Sequence, residues 1–551
     1  MELEKFDLSK YAENSLNYLT KLTDEKMGYL PYWLVKMVDD PAHAKHCRVD
    51  DAELAPSWSK ALTLIRKVLD TPEGKEQEAA FRKLMMENFR EDGLSYSHSF
   101  PWEEIIYSNM HEACWVMDAM VYYYMDTRDD AVKEQIIKMI DALDKIAVHK
   151  TGRFFWHGYY DQPYKSAYFP FENHFEGKGL DGSIWTGRSE EVTRNGGIVM
   201  ALTEFWEMTG HDKAIELAEA LVNHIAFDSR KFGAEGHYVG HVHAAMWTVS
   251  GVLKFGLATK RDDIVSWARD VYEYTKKFST SFGWVPEYVN RKDDSLELCE
   301  TCCIADMIRC ALLFAENGME EYWEDVDRFT RNHLVNSQIS SPPEMKVDSS
   351  LEDTDTTTWK DLDQRVVGAF SAGTAVNFFP YDRTRVAGGC CGATGAGTIF
   401  YVWNDIVWKK DNVVSVNLMM DRETDYALIE SELPREGKVT VALKEDAALK
   451  VRIPVTADRQ VAVQVDDEDV AVIWDGTYIL LRAVNAGQKV VVKFNDPIRK
   501  TVERQAYTDY QVKWKGNTVL YIRPDNLYPG CRMNKPMYSL APPVDYEPSR
   551  F

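Results

Sequence analysis

The stretch Leu257-Ala-Thr-Lys-Arg-Asp-Asp-Ile-Val-Ser-Trp-Ala-Arg-Asp-Val-Tyr-Glu-Tyr-Thr275 reads as a polar turn that opens an amphipathic helix. Ile264, Trp267, Ala268, Val271 and Tyr272 fall at i, i+3, i+4, i+7 and i+8, the spacing of one buried helical face. The pattern returns along the helical part of the chain. Leu69-Asp-Thr-Pro-Glu-Gly precedes a run reaching Phe89, and Tyr124-Met-Asp-Thr-Arg-Asp-Asp precedes Ala131 to Ile146. Glu207-Met-Thr-Gly-His-Asp precedes Lys213 to Ile225, and Glu316-Asn-Gly-Met-Glu-Glu precedes Tyr322 to Leu334. Thr71, Thr127, Thr209, Thr259 and Asn317 occupy the turns. One hairpin recurs every 50–60 residues, roughly, with about 30 extra residues inserted once, which is the period of stacked helical hairpins. The hairpins are few and a β-rich segment follows them, which favours a closed toroid over an open solenoid.

After Phe400 the texture changes. Val413-Val-Ser-Val-Asn-Leu, Lys438-Val-Thr-Val-Ala-Leu, Leu449-Lys-Val-Arg-Ile, Gln460-Val-Ala-Val-Gln-Val and Lys489-Val-Val-Val-Lys-Phe are short and β-branched, and most alternate with period two. Asp475-Gly476 and Asn485-Ala486-Gly487 supply turns between some of them, so an all-β sandwich is expected. The predicted fold is mainly α with a β domain: an (α/α)6-type toroid over residues 1–400, then a β-sandwich over 401–551. Ser340-Ser-Pro-Pro through Asp363 reads as a polar surface excursion. The insertion between Phe154 and Trp185 carries Phe154-Phe-Trp-His-Gly-Tyr-Tyr, Tyr168-Phe-Pro-Phe and His174-Phe. Aromatic faces suit the apolar faces of sugar rings, so Trp156 and His157 are candidate substrate contacts. The same aromatics would equally plug one end of a toroid.

Composition narrows the function classes. Of the 551 residues, 45% are hydrophobic, enough to bury a large interior. A net charge of -23 argues against nucleic acid or an anionic membrane as main partner, because both need clustered Lys and Arg. Met1-Glu-Leu-Glu-Lys-Phe-Asp has no basic-then-apolar signal pattern, and no run of about 18 apolar residues occurs. Nine cysteines without regular spacing fit a reducing compartment, so a cytoplasmic location is expected. A homo-oligomer is left open.

Two thiol clusters carry the chemistry: Cys299-Glu-Thr-Cys-Cys303 and, far downstream, Ala387-Gly-Gly-Cys-Cys-Gly-Ala-Thr-Gly395. Joined by folding, they would make a sulfur-rich zinc site, and a thiolate of that site facing a cleft would be a nucleophile. The plain alternative is a set of buried thiols packed as small hydrophobes. The spacing alone favours one of two ligand sets. On a regular helix i and i+3 share a face, which joins Cys299 and Cys302 to Cys390 and Cys391 in a closed structural site. Glu300 and Cys302 converge only if the chain is not yet helical at Glu300.

Glu300-Thr-Cys, the helices that follow it as far as Arg331-Asn-His-Leu, and Gly389-Cys-Cys-Gly together resemble the β-L-arabinofuranosidases of glycoside hydrolase family 127. Tyr107-Ser-Asn-Met-His-Glu and Arg194-Asn-Gly-Gly-Ile resemble two further segments of that family, and the strands near Leu449, Gly476 and Gly487 resemble its sandwich. The resemblance implies a zinc ion held by Glu300, Cys302, Cys390 and Cys391, with Cys390 as nucleophile of a retaining mechanism. It implies Glu287 as general acid/base, with Glu297 as rival, and His111 and His241 as sugar contacts. Asn195 stands where the family has a histidine, which puts the family's sugar specificity in question. His241 and His243, in Tyr238-Val-Gly-His-Val-His, could instead bind a metal as an i, i+2 pair. The substrate expected is a small oligosaccharide or glycoside. Two other readings stand beside this one: a carboxylate-based toroid hydrolase or lyase on uronic acid sugars, and a non-catalytic carbohydrate-binding protein with a structural zinc.

Overall fold

Each hairpin of the repeat contributes one helix to an inner ring and one to an outer ring. The computed structural model describes residues 3–47, 49–97, 107–156, 160–170, 173–175, 196–291, 298–379, 387–505, 508–524, 535–538 and 540. In chain order the principal helices are α1 (Leu8–Lys21), α2 (Ala55–Leu69), α3 (Lys75–Glu87), α4 (Met110–Thr127), α5 (Asp130–Ile146) and α6 (Val199–Thr209). They continue with α7 (Asp212–Asn223), α8 (Val242–Thr259), α9 (Asp262–Lys276), α10 (Thr301–Glu316), α11 (Trp323–Phe329) and α12 (Cys391–Asn404). The even-numbered helices touch in sequence, α2 to α4 and on to α12, and α12 closes the ring on α2. The odd-numbered helices pack around them: α1 and α3 on α2, α5 on α4, α7 on α6, α9 on α8, and α11 on α10.

The two kinds of helix differ as their positions require. Helix α9 buries Ile264, Ala268, Val271 and Tyr272 on one stripe, while Trp267 is half-buried against Phe232. Inner α10 is buried over almost its whole circumference, Arg309 and Glu316 being the departures. The recurrent turn threonines have a shared task. Helix ends leave carbonyls without partners, and Thr127, Thr209 and Thr259 donate back to Tyr123, Phe205 and Phe255 at 2.9, 2.7 and 2.7 Å. Asn317 does the same to Leu313 at 2.8 Å. Thr127 and Thr209 also accept the amides of Asp129 and His211, which starts the next helix.

Helix α6 shows how closely the inner ring packs. A Cβ on Gly196, just ahead of it, would lie 2.2 Å from Thr248 Cγ2 on α8, so only glycine fits. The aromatic insertion begins as an antiparallel pair, Val148–Trp156 with Tyr160–Tyr168, in unbroken register. A later strand, Asn173–Phe175, pairs with Tyr107–Asn109 immediately ahead of α4.

Helix α12 extends to Asn404, and strands begin at Val407. A five-stranded sheet contains Val413–Val416, Ala447–Arg452 and Tyr478–Val484, and a six-stranded sheet contains Lys438–Leu443, Lys489–Phe494 and Val461–Val465. Strand Ala427–Ser431 alternates buried and less buried residues, as a sandwich strand with one face on the core must. Buried Arg452 ties this region to the toroid through Glu324 on α11 at 2.7 Å. The toroid and sandwich expected from the sequence are thus both present. Half of the residues in the stretch 340–363 are exposed, and Thr357 and Thr358 pair with Lys45 and Ala44. Among the described residues no helix is long and apolar enough to cross a membrane.

Candidate functional site

The N-termini of the inner helices meet at one end of the ring, and His111, His241, Glu300, Cys302, Cys390 and Cys391 lie on those ends. Cys299 is held by a two-way backbone pairing with Thr374, at 2.7 and 2.9 Å, which keeps the chain extended up to α10. Glu300 is therefore the N-cap of α10, at φ -78° and ψ 134°, not a helical residue. That conformation lets Glu300 and Cys302 converge although they are two residues apart. Cys299 points elsewhere, its sulfur 3.5 Å from the Glu300 carbonyl.

The second thiol pair arrives through a glycine turn. Gly388 and Gly389 take φ of 129° and 66°, and a Cβ on Gly388 would lie 2.3 Å from the Trp33 carbonyl oxygen. The turn places Cys390 as N-cap of α12 and Cys391 as its first residue. Cys302 Sγ lies 3.5 Å from both Cys390 Sγ and Cys391 Sγ. Glu300 Oε1 lies 3.8 Å from Cys390 Sγ and 3.5 Å from Cys391 Sγ. One donor atom from each of these four residues falls within 4.8 Å of the others. Cys302 and Cys391 are buried, whereas Cys390 is partly exposed. Three sulfurs and one carboxylate oxygen are a donor set suited to zinc.

The electrostatics favour an anion at Glu300 but oppose charge on the Cys302 and Cys390 thiols. Two helix N-termini point at the thiols. Burial pushes the Glu300 carboxyl up, but the hydrogen bond from His241 at 2.8 Å and the charges of His243 and His241 outweigh it and hold it at about 2. Burial also opposes a charge on His243, yet the Asp306 carboxylate 2.6 Å away raises its imidazole to about 10. His243 thus pairs with α10 and is not among the metal-donor groups, whereas His241 faces the second oxygen of Glu300. Burial, reinforced by the neighbouring thiols, drives Cys302 well up. Cys390 also rises, because Cys391 and burial outweigh the opposing hydrogen bond to Cys302. Both are thiols until a cation displaces their protons.

Glu287 Oε1 lies 3.8 Å from His241 Nε2, which brings that carboxylate to the same rim. His111 sits in the first turn of α4, its amide capped by Asn109 Oδ1 at 2.8 Å. Asn109 Nδ2 also donates to Asn173 at 2.7 Å and so ties the aromatic insertion to this helix end. The His111 ring packs edge-on to Trp115 and Trp247, at 6.2 and 5.9 Å. His243 stacks on Trp247 at 5.7 Å, which links His111 to the Glu300 side of the ring. Trp156 ends its strand opposite Tyr160. His157, Asn195 and Glu297 lie outside the described residues. The sequence reading missed the Trp115–Trp247 pair and the His243–Asp306 ion pair. Their helical spacing reads simply as core, and only ring closure turns these side chains toward the site.

No family model matches this chain, and no curated protein matches it in sequence. Among solved structures it is similar to a family 127 β-L-arabinofuranosidase from Geobacillus stearothermophilus T6, at 15% identity and a TM-score of 0.57, covering 93% of this chain and 80% of that one. A second family 127 β-arabinofuranosidase aligns at 14% identity and a TM-score of 0.57, covering 92% and 78% of the two chains. A protein described as a glycoside hydrolase aligns at 15% and 0.57, covering 91% and 85%. At such identities the likeness shows a shared fold, a helical toroid followed by a β-sandwich.

Proposed function

We propose that this chain is a retaining glycoside hydrolase with Cys390 as its nucleophile. The observation that carries the reading is the convergence of Glu300, Cys302, Cys390 and Cys391 within 4.8 Å at one end of the toroid. These four residues would hold zinc, which when bound keeps Cys390 a thiolate near neutral pH. Cys390 is the least buried of the three sulfurs and the one a substrate can reach. In the first half-reaction its sulfur attacks the anomeric carbon. A C–S bond forms as the glycosidic C–O bond breaks, and Glu287 gives its proton to the departing oxygen. In the second, Glu287 takes a proton from water, whose oxygen displaces the sulfur, and the anomeric configuration is retained overall.

His111 and His241 would bind hydroxyl groups of the sugar, with Trp156, His157 and Asn195 completing its pocket. A short glycoside is the substrate class, and β-L-arabinofuranosides are the first to test, after the enzymes of like fold. The closed four-cysteine alternative is disfavoured because the Cys299 sulfur lies on the Glu300 carbonyl, outside the convergent group.

The test combines elemental analysis with trapping. Protein purified without added metal should contain about one zinc per chain. Incubation with an aryl β-L-arabinofuranoside, followed by acid quenching and peptide mass analysis, should show a pentosyl adduct on Cys390. Activity that survives Cys390→Ala, with no adduct and no zinc, would overturn the proposal.

A further inference from the structure

Four of the six inner helices begin at residues already assigned to the site, His111 on α4, His241 ahead of α8, Glu300 ahead of α10 and Cys390 ahead of α12, and a fifth, α6, follows the close-packed Gly196. The sixth, α2, opens differently. A wide π-turn, Asp50–Leu54, precedes it, and all five of its residues are buried. Such turns are rare and gather at functional sites. This one is held firmly in place. The Asp50 carboxylate accepts the amides of Cys47 and Trp33 at 2.9 and 3.2 Å and meets His46 Nδ1 at 2.7 Å.

The turn delivers Glu53 beside His111. Glu53 is 5% exposed, and its Oε2 lies 3.6 Å from His111 Nε2. That is too long for a hydrogen bond. His111 Nε2 instead accepts the indole N–H of Trp115 at 3.3 Å, so in this arrangement it carries no proton for Glu53. Among the described residues no hydrogen bond reaches the Glu53 carboxylate. A carboxylate accepts hydrogen bonds at both oxygens, and in a residue only 5% exposed few water donors can reach them. Sugar hydroxyls are donors of the right kind.

We infer that Glu53 is a substrate-binding residue whose carboxylate accepts hydroxyl protons of the bound sugar beside His111. The inference rests on the glycoside reading above for its class of ligand. The lone pair of His111 Nε2 is taken by the Trp115 indole N–H, so at this position Glu53 supplies the acceptor that selects for a hydroxyl.

The test titrates the zinc-loaded full chain with methyl β-L-arabinofuranoside and its 2-, 3- and 5-deoxy analogues, following indole fluorescence. Glu53→Gln should weaken the parent sugar about tenfold to a hundredfold, the range for a hydrogen bond to a charged group. One deoxy analogue should bind the unaltered protein equally poorly and lose nothing further in Glu53→Gln, because both changes delete the same contact. Glu53→Asp keeps the charge and provides a second reading if the glutamine variant folds poorly. An equal loss for all four sugars, no loss for any, or no binding to the unaltered protein would overturn the inference. Binding without turnover would sink the hydrolase reading and leave Glu53 standing. A Cys390 adduct together with a uniform loss in Glu53→Gln would sink Glu53 alone.

Discussion

Cys390 Sγ lies 3.5 Å from Cys302 Sγ and 3.8 Å from Glu300 Oε1 and is partly exposed, and under the proposed mechanism it would both bind a cation and attack a sugar. The two roles separate in Cys390→Ser. A hydroxyl is a poor nucleophile at neutral pH, so kcat should fall at least about a thousandfold. The other three ligands should still hold zinc, more weakly, and parallel turnover and metal assays would check this. Equal loss of zinc and activity would mean that the thiol is structural. Glu287 makes a different prediction from its place beside His241. Glu287→Gln should slow glycosides with poor leaving groups by about 10²–10⁴. Activated aryl glycosides, whose departing oxygen needs no proton, should lose far less in the first half-reaction. Burst kinetics would separate the two halves, and an equal loss on both substrate types would move the acid role elsewhere.

Helix α12 has its N-terminus aimed by a turn that tolerates no side chain, while its middle has room for one. At Gly388 an added methyl meets the Trp33 carbonyl at 2.3 Å from a φ of 129°. At Gly397 it meets nothing nearer than Leu64 Cδ1 at 3.8 Å. Gly388→Ala should therefore cost about 1–3 kcal/mol of stability and release zinc to a chelator at least about tenfold more readily. Gly397→Ala should gain roughly 0.5–1 kcal/mol by helix propensity and leave zinc release unchanged. Denaturant midpoints and a chromogenic chelator would measure both, and similar behaviour of the two variants would refute the turn's role. Elements of this kind also decide what a sequence reveals. The stripe of Ile264 and Val271, the turn threonines and the alternating strands are local patterns, and each was readable. The choice between Glu300 and Cys299 was not, because Thr374, distant in sequence, keeps the chain extended before α10. Glu53 was hidden for a similar reason: a π-turn has no spacing signature, and His111 becomes its neighbour only when the ring closes.

The toroid and the sandwich are joined by buried ionisable groups, which sets how the whole molecule answers to acid. Glu324 on α11 accepts from Arg452, Val455 and Asn517 at 2.7, 3.0 and 3.0 Å. Burial opposes its charge, but Arg452 and Arg328 outweigh it and hold the carboxyl at about 2 against an ordinary 4.5. A carboxyl lowered in the fold contributes stability that is complete above 4.5 and is lost as pH falls toward 2. His333, fully buried between Tyr538 and Thr374 at 2.9 Å on each side, acts in a different window. Burial pulls its imidazole from 6.5 to about 3. Between those values the unfolded chain binds a proton that the folded chain refuses, so stability falls as pH drops, by about 1.4 kcal/mol per pH unit. Urea midpoints measured from pH 7 to pH 4 should therefore flatten in His333→Gln, mainly above 4.5. Glu324→Gln should leave that upper range unchanged and flatten only the acid end. Parallel curves for His333→Gln and the unaltered protein above pH 4.5 would show that the imidazole takes up its proton without unfolding, and the acid response would have to be sought in other groups.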